Sequence, residues 1–319
     1  MMKVSNMNIP VKAENNPKAF PAEIDTQKTS VFYGCRDPYI LLYGGKYYFY
    51  RGMGSNGIGC AVSDDLENWT KPQTVFTVPE NFHGIKDLFW APECHYYKGN
   101  FYIFTSVFSG KYNHRTISVY RADNPLGPFT DIAEGCITPK DWDAIDGTLY
   151  VDDQGQPWMI FVHEWTSMPD HNGGMCAALL SEDFTHFISE PVQLFLARDP
   201  EWATNGVTDG PYVFTQTDGK IGMIWSNGCK EGYCVGVAYS DGKIDGNWSQ
   251  RKDLLYCRHL RPDFNTDGGH AMIFYDKSGK VVMPLHGPNG KYDGSTEHLQ
   301  LFELEEKNGT IDIKCRYSL

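Results

Sequence analysis

The stretch DGTLYVDDQGQPWMIFVH, residues 146–163, decides the fold. It consists of a β-rich run, a turn that contains Gly155, and a second β-rich run, which is the pattern of a β-hairpin. The turn glycines of five such stretches are 54, 56, 64 and 60 residues apart, which indicates five copies of one structural unit. The other four copies are DPYILLYGGKYYFYR (37–51), APECHYYKGNFYIFTS (91–106), DGPYVFTQTDGKIGMIWS (209–226) and GGHAMIFYDKSGKVVMPLH (268–286).

A second pattern follows the hairpin in four of the five units. In it, a strand of small and apolar residues runs into Ser-Asp or a close variant, and a turn then ends at Trp or Phe. The fifth unit keeps only a strand, within HLQLFELEEKNGTI (298–311). The four copies are GIGCAVSDDLENW (57–69), TISVYRADNPLGPF (116–129), GMCAALLSEDFTHF (174–187) and YCVGVAYSDGKIDGNW (233–248).

Each unit therefore supplies four short strands, and such a small sheet cannot bury both of its faces alone. Neighbouring units must pack against each other, and five units arranged radially form an all-β, five-bladed β-propeller with about four antiparallel strands per blade. A long β-sandwich with accidental internal similarity is the alternative. We assign residues 31–319 to a single propeller domain and residues 1–30, which show no periodicity, to an extended N-terminal arm.

The charge of the chain excludes several classes of partner. The 319 residues include 28 Lys and Arg against 40 Asp and Glu, a net charge of −12. A phosphate backbone or an anionic membrane surface would be repelled, so we expect no nucleic-acid and no membrane partner. The sequence contains no run of 18 apolar residues, so we expect no transmembrane helix. A neutral substrate fits this balance better than a polyanionic one.

Nine scattered cysteines, an odd number, indicate free thiols in a reducing compartment. The first residues, MMKVSNMNIPVKAENN, lack the apolar segment of a signal peptide. We therefore expect a cytoplasmic protein, or a secreted or periplasmic one if a signal peptide has been removed.

Asp37, Asp146 and Asp209 begin the first strand in three of the five units. The first strand of a blade is the innermost, so these carboxyl groups should converge at one mouth of the central channel. Converging carboxylates repel each other, which raises some pKa values and leaves other groups ionised. Glycoside hydrolysis needs this division between a protonated acid and an ionised base. The alternative is that the Asp-Gly pairs at 146 and 209 only form turns.

Three further residues are candidate substrate contacts. Trp90 is expected to form an apolar wall against a sugar ring, or else to belong to the core. Glu93 is either a substrate contact or a buried acid against a backbone amide. Arg36 would lower the pKa of Asp37 if its side chain turned inward, although neighbouring strand residues normally face opposite ways.

Three other polar residues lie at strand ends. His163 and Glu164 end the second strand of the third unit, where they either reach the site or are solvated. His270 lies at the axis in the fifth unit, as a site residue or as a structural one.

Five short motifs, in this order and spacing, resemble glycoside hydrolase family 43 over residues 31–304. Members of that family are five-bladed β-propellers that hydrolyse arabinofuranosides and xylosides with inversion. The motifs are Arg36-Asp37-Pro38, Trp90-Ala91-Pro92-Glu93, Ile145-Asp146-Gly147, Asp209-Gly210-Pro211 and Gly269-His270.

The resemblance implies a role for each carboxyl group. Asp37 matches the catalytic base, and Asp146 matches the Asp that tunes the acid and orients the substrate. The family's general acid is a Glu, but this sequence has Asp209 there, so the alternative acid is Glu164. The resemblance also implies a calcium or other ion at the axis near His270. We expect no organic cofactor.

The expected function is therefore inverting hydrolysis of a neutral plant polysaccharide or oligosaccharide. An exo-acting α-L-arabinofuranosidase is the first expectation and a β-xylosidase the second. A non-catalytic glycan-binding propeller that has lost the usual Glu is one alternative. A glycoside phosphorylase is another, which would need cationic groups near the axis, with Arg36, Arg258 and Arg261 as candidates.

Overall fold

The computed structural model describes residues 2–4, 28, 29, 35–86, 88–133, 135–288 and 297–319. Within these ranges the chain forms five antiparallel sheets arranged as a five-bladed β-propeller, which confirms the predicted fold class. The one helical element in the same ranges is the 3-10 turn Gly54–Asn56. The predicted N-terminal arm lies outside the described residues, apart from Met2 and two short strands, β1 (Lys3–Val4) and β2 (Lys28–Thr29).

The first two blades follow each other along the chain, and their strands run outward from the channel in chain order. Blade one contains β3 (Tyr39–Tyr43), β4 (Lys46–Gly52), β5 (Ile58–Ser63), β6 (Trp69–Thr70) and β7 (Gln73–Phe76). In this blade β2 pairs with β6, and β7 pairs with β5. Blade two contains β8 (Trp90–Tyr97), β9 (Asn100–Ser109), β10 (His114–Ala122) and β11 (Thr130–Asp131).

The other three blades repeat this order, and β1 pairs with the innermost strand of blade four. Blade three contains β12 (Ala144–Val151), β13 (Pro157–His163), β14 (Gly174–Leu179) and β15 (Val192–Leu196). Blade four contains β16 (Asp209–Thr215), β17 (Ile221–Cys229), β18 (Gly232–Ser240) and β19 (Trp248–Gln250). Blade five contains β20 (Phe274–Tyr275), β21 (Val281–Gly287), β22 (His298–Lys307) and β23 (Thr310–Arg316).

The hairpin between the first and second strands of every blade turns at a glycine. All five glycines have a positive φ, between 75° and 90°, which residues with a Cβ atom adopt only at a cost. These glycines are Gly45, Gly99, Gly155, Gly219 and Gly279. The sequence spacing therefore marked the true period of the fold.

Blade five is more complete than the sequence pattern suggested. The expectation that this unit keeps only one strand after its hairpin is wrong, since β22 and β23 form a second hairpin. Its turn is Asn308-Gly309, and both residues have a positive φ, 52° and 73°. Asn-Gly is the preferred pair for the tight two-residue turn of a hairpin, so this signal was present in the sequence.

The start of the innermost strand has the same unusual backbone in all five blades. One residue there has a φ between 44° and 55°, and in blades two, three and four the strand register shifts at this point. A β-bulge of this kind interrupts the alternation of side chains. The five residues, which we call the mouth positions, are Asp37, Ala91, Asp146, Gly210 and His270.

The mouth positions correct one detail of the sequence analysis. In blade four the equivalent residue is Gly210, so Asp209 lies one residue earlier and is not in phase with Asp37 and Asp146. A Cβ atom at Gly210 would lie 2.9 Å from the His270 ring, so this position has no space for a side chain. The bulge nevertheless lets the residue that precedes a mouth position face the channel mouth.

Side chains from one blade hold the backbone of the next at the channel mouth. In four blades the N–H of the mouth position donates to a side chain of the preceding blade, and one of these bonds links blade five to blade one. The ring is therefore closed by specific hydrogen bonds as well as by packing. The four hydrogen bonds run from Asp37 N–H to His286 Nδ1 (3.1 Å), from Asp146 N–H to Ser106 Oγ (2.9 Å), from Gly210 N–H to Asp146 Oδ2 (3.0 Å) and from His270 N–H to Ser226 Oγ (2.7 Å).

Two further findings concern the cysteines and the helices of the described residues. All nine cysteines are unpaired, as predicted. No helix in the described part of the chain has the length and apolar character needed to cross a bilayer.

Candidate active site

A cavity of about 730 Å³ opens at the channel mouth. This volume lies within the range of roughly 300–1,000 Å³ that is usual for small-molecule sites. The cavity brings together seven of the residues predicted from the sequence: Arg36, Asp37, Trp90, Asp146, Glu164, Asp209 and His270.

Asp37 lies among cationic or potentially cationic groups. Its Oδ1 is 3.1 Å from His270 Nδ1 and 3.5 Å from His286 Nδ1, and its Oδ2 is 3.8 Å from Arg36 Nε. Burial by itself raises the pKa of Asp37, but the two imidazoles and the guanidinium outweigh it and hold the pKa below the ordinary value. The inward contact of Arg36, which strand alternation disfavoured, therefore exists. Asp37 is the ionised carboxylate of the site.

Asp146 is buried deeper in the same cluster. Its Oδ2 accepts the Gly210 N–H at 3.0 Å and lies 3.8 Å from His270 Nδ1. Burial, and next the charge of Asp37, raise the pKa of Asp146 well above its ordinary value. This carboxyl group connects blade three to blade four and faces both other acids.

Asp209 is half-buried in the cavity wall, in the position before Gly210. Burial, and then the neighbouring Asp146, raise the pKa of Asp209 to about 7, although His270 and Tyr233 oppose the shift. Its Oδ2 accepts a hydrogen bond of 2.9 Å from the Tyr233 hydroxyl. A carboxyl group that is partly protonated at neutral pH and lines a cavity is suited to donate a proton.

Tyr233 was missed by the sequence analysis. It lines the cavity and is 9% exposed. It begins the repeated stretch YCVGVAYSDGKIDGNW in blade four, directly after Gly232 at the start of β18. A tyrosine at a strand start is common in any β protein, so only the three-dimensional contact with Asp209 identifies it.

Glu164 lines the cavity, but both of its carboxylate oxygens accept hydrogen bonds from Arg115. Arg115 donates from Nε to Oε2 and from Nη2 to Oε1, the latter at 2.9 Å, and the Glu164 residue is only 4% exposed. Because both carboxylate oxygens accept bonds from one guanidinium, the geometry disfavours Glu164 as the alternative acid. The same guanidinium lies 5.4 Å from the ring centre of Trp90, which is 41% exposed in the cavity wall. Glu164 thus supports the predicted aromatic wall.

Two predicted substrate contacts do not line the cavity. Glu93 is buried, with Oε2 3.0 Å from His95 Nε2, and burial raises its pKa to about 8. His163 stacks on Trp142 with 3.8 Å between ring centres, and its Nε2 lies 3.1 Å from Ser167 Oγ. His163 and Glu164 are consecutive residues, and only Glu164 is directed into the cavity. Glu93 is thus a buried acid, the second of its two expected roles, although its partner is His95 and not a backbone amide, and His163 does not reach the cavity.

The described residues do not fit a calcium site near His270. Calcium takes six to eight oxygen ligands. In the described ranges no group of three or more His, Cys, Asp or Glu side chains has the geometry to hold a metal ion. His270 Nδ1 is directed at Asp37 and Asp146.

Comparisons with known proteins agree with this architecture. The family model of glycosyl hydrolases family 43 matches residues 31–311. An extracellular exo-alpha-(1->5)-L-arabinofuranosidase from Cellvibrio japonicus is 27% identical over 84% of this chain and 82% of its own length. An extracellular endo-alpha-(1->5)-L-arabinanase from Bacillus subtilis is 28% identical over 41% of this chain and 44% of its own length.

A solved structure shares the whole fold. The endo-arabinase from Bacteroides thetaiotaomicron is 34% identical and superposes with a TM-score of 0.80, covering 90% of this chain and 100% of that one. The cluster of carboxyl groups at the channel mouth therefore lies within a scaffold that is similar to that of this endo-arabinase.

Proposed function

Because the chain belongs to glycosyl hydrolase family 43, it is a glycosidase that acts on plant polysaccharide, and we propose that it removes non-reducing terminal α-L-arabinofuranosyl units with inversion. The observation that carries the proposal is the opposite shift of two carboxyl groups in one cavity. The pKa of Asp37 is held low, and the pKa of Asp209 is raised to about 7. Inverting glycosidases require one base and one acid of this kind.

The proposed reaction is a single displacement. Asp37 takes a proton from a water molecule as the water oxygen attacks the anomeric carbon. The bond from that carbon to the leaving oxygen breaks, and Asp209 gives its proton to this oxygen. The products are a free sugar of inverted configuration and the shortened glycan, with Asp37 protonated and Asp209 ionised until solvent exchanges the protons.

Asp146 has two proposed tasks in this reaction. Its negative charge, when present, keeps the pKa of Asp209 high, which favours the protonated acid. Its Oδ2 also accepts a hydrogen bond from the Gly210 N–H, and this bond fixes the backbone of the residue that follows Asp209. The remaining polar surface of Asp146 faces the cavity, where it is available to a sugar hydroxyl.

The sugar specificity is the finer part of the proposal. The relatives named above act on arabinose-containing glycans, and an exo-acting enzyme is the one matched over most of its length. A β-xylosyl unit remains the second candidate substrate. Trp90 and Trp165 give the cavity two aromatic walls suited to the apolar face of a neutral sugar.

Two alternative functions find less support in the site. A glycan-binding propeller without activity has no need for carboxyl groups with opposite pKa shifts. A phosphorylase needs a cation for phosphate, but Arg36 is engaged with Asp37 and Glu297, and Arg261 pairs with Asp312 at 3.2 Å. Arg258 and Arg261 are not among the residues that line the cavity.

The compartment is also a proposal. Two relatives are described as extracellular enzymes, and this favours the secreted alternative over the cytoplasmic one expected from the cysteines. A polysaccharide substrate is consistent with action outside the cell.

A substrate panel tests the proposed function. Aryl α-L-arabinofuranoside, β-xyloside and β-galactoside are assayed beside linear α-1,5-arabino-oligosaccharides, with and without phosphate. We expect the arabinofuranoside to be cleaved fastest, arabinose to be the first product from the oligosaccharides, and phosphate to have no effect. Binding of arabinose without turnover of any substrate, or turnover that depends on phosphate, contradicts the proposal. A ladder of short oligosaccharides as first products contradicts exo action alone.

The pH dependence of kcat/KM follows from the two carboxyl groups. Asp209 must be protonated, so activity is expected to fall as pH rises through about 7. Asp37 must be ionised, and its pKa is held below the ordinary value of an Asp, so the loss of activity on the acid side is expected only below that ordinary value. The measurement is kcat/KM against pH with a poor leaving group. A basic limb that starts above pH 9 would remove Asp209 from the role of acid.

A further inference from the structure

The acid in this chain has a shorter reach than the family pattern provides. Asp209 has one methylene fewer than the Glu expected at this position. A misplacement of a catalytic group by about 1 Å costs on the order of 100-fold in rate. The Tyr233 hydroxyl lies 2.9 Å from Asp209 Oδ2 and lines the same cavity. The Tyr233 hydroxyl is therefore placed where it can extend the reach of the shorter acid.

We propose that Tyr233 is a catalytic residue that passes the proton of Asp209 to the leaving oxygen. This proposal rests on the assignment of Asp209 as the acid. When Asp209 is protonated, its O–H donates to the Tyr233 oxygen, which reverses the hydrogen bond made to the ionised carboxylate and leaves the tyrosine O–H for the leaving oxygen. As the bond to the leaving oxygen breaks, the tyrosine O–H proton moves to that oxygen, and the Asp209 proton moves to the tyrosine oxygen. The net change is one proton from Asp209 to the leaving group, and Tyr233 ends as it began.

The Tyr233 ring is held in a fixed position for this task. Its ring lies 5.7 Å from that of His286, at an angle of 29°. Gly269 packs against the ring edge so closely that a Cβ atom there would lie 2.4 Å from Tyr233 Cε1. The Tyr233 N–H donates to Asp267 Oδ2 at 3.3 Å. The hydroxyl is thus directed at Asp209 by packing on two sides and by its backbone.

The electrostatic surroundings require the two transfers to be concerted. Burial, and next the charge of Asp209, raise the pKa of Tyr233 well above its ordinary value, so a tyrosinate does not accumulate. The phenol is therefore a poor donor by itself. It becomes an effective one only when Asp209 replaces the proton in the same step.

The test is Tyr233→Phe, assayed on two arabinofuranosides that share the sugar but differ in leaving group. An alkyl leaving group needs protonation, whereas a dinitrophenyl group leaves without it. We expect kcat/KM to fall roughly 100-fold for the alkyl substrate, within the usual range for general acid catalysis, and little for the dinitrophenyl one. The ratio of the two values on one preparation does not depend on how much of the enzyme is folded, so it remains informative if the variant is destabilised.

The matched control is Tyr317→Phe. The Tyr317 hydroxyl also donates to a carboxylate, Asp276 Oδ2, at 2.7 Å, but neither residue lines the cavity. This control is expected to leave the ratio of the two substrates unchanged. An equal loss on both substrates in Tyr233→Phe shows that Tyr233 only supports the cavity, and this outcome overturns the relay.

A second variant separates the relay from the identity of the acid. Asp209→Glu supplies the missing methylene, so Tyr233→Phe is expected to lose most of its effect in that background. Equal effects of Tyr233→Phe in both backgrounds overturn the relay. If Asp209→Asn shows no dependence on the leaving group, the assignment of the acid itself fails; if it does while Tyr233→Phe does not, only the relay fails.

Discussion

Asp37→Asn is expected to lower kcat/KM by roughly 10²–10⁴-fold on every substrate, whatever its leaving group. Asn cannot accept a proton from the attacking water, and both kinds of leaving group depend on that attack. The amide keeps the size of the side chain and its contact with His270, so the loss is one of chemistry. The measurement is kcat/KM with the alkyl and the dinitrophenyl arabinofuranosides.

Added azide gives this prediction a positive test. Azide is a nucleophile that needs no base, so in Asp37→Asn it should restore turnover and give a glycosyl azide of inverted configuration. Asp276→Asn is the control, since this buried carboxylate lies outside the cavity. A loss of less than tenfold in Asp37→Asn, or rescue that gives a retained product, contradicts the assignment of the base.

Asp209→Asn is expected to lower kcat/KM by roughly 10²–10⁴-fold for a poor leaving group and far less for dinitrophenol. Asn has no proton to give, and only the poor leaving group needs one. The basic limb near pH 7 should disappear in the same variant, because the group that titrates there is gone. Both results come from one set of rate measurements against pH.

Glu164→Gln is assayed in parallel as the competing acid. Its carboxylate holds Arg115, and Arg115 lies over Trp90, so we expect weaker substrate binding without dependence on the leaving group. A selective loss with Glu164→Gln, together with a small uniform loss with Asp209→Asn, would transfer the role of acid to Glu164.

The sequence was sufficient to predict the fold because a local requirement recurs at a regular interval. Each hairpin needs a residue with positive φ at its turn, and a glycine stands there in all five blades. The convergence of Asp37 and Asp146 followed from the same period, whereas Asp209 reaches the site from one residue before its mouth position. Long-range geometry was not needed for either inference.

The sequence was not sufficient where local backbone breaks the strand pattern. The bulge at the mouth positions lets consecutive residues such as Ile145 and Asp146 both face the cavity, which simple alternation forbids. For the same reason Asp209 serves the site from one residue before the mouth position. Arg36 reaches Asp37 before β3 begins, where Asp37 has a φ of 47° and strand alternation does not apply.

Contacts between residues that are far apart in the chain also could not be predicted from single motifs. Arg115 neutralises Glu164 across 49 residues, and Tyr233 meets Asp209 across 24. Glu93 was expected to be either a substrate contact or a buried acid against a backbone amide, and its own segment does not show that its buried partner is His95. The packing of the strands and blades determines these side-chain partners, and no local sequence pattern predicts them.

The stereochemistry of the first product tests the central claim most directly. Proton NMR during early hydrolysis of an α-L-arabinofuranoside distinguishes the two anomers of the released arabinofuranose before they interconvert. Direct attack by water opposite the leaving group, with Asp37 as base and Asp209 as acid, predicts the β-anomer as the first signal. Initial appearance of the α-anomer would show a retaining enzyme with a covalent intermediate, and the mechanism built on these two carboxyl groups would be wrong.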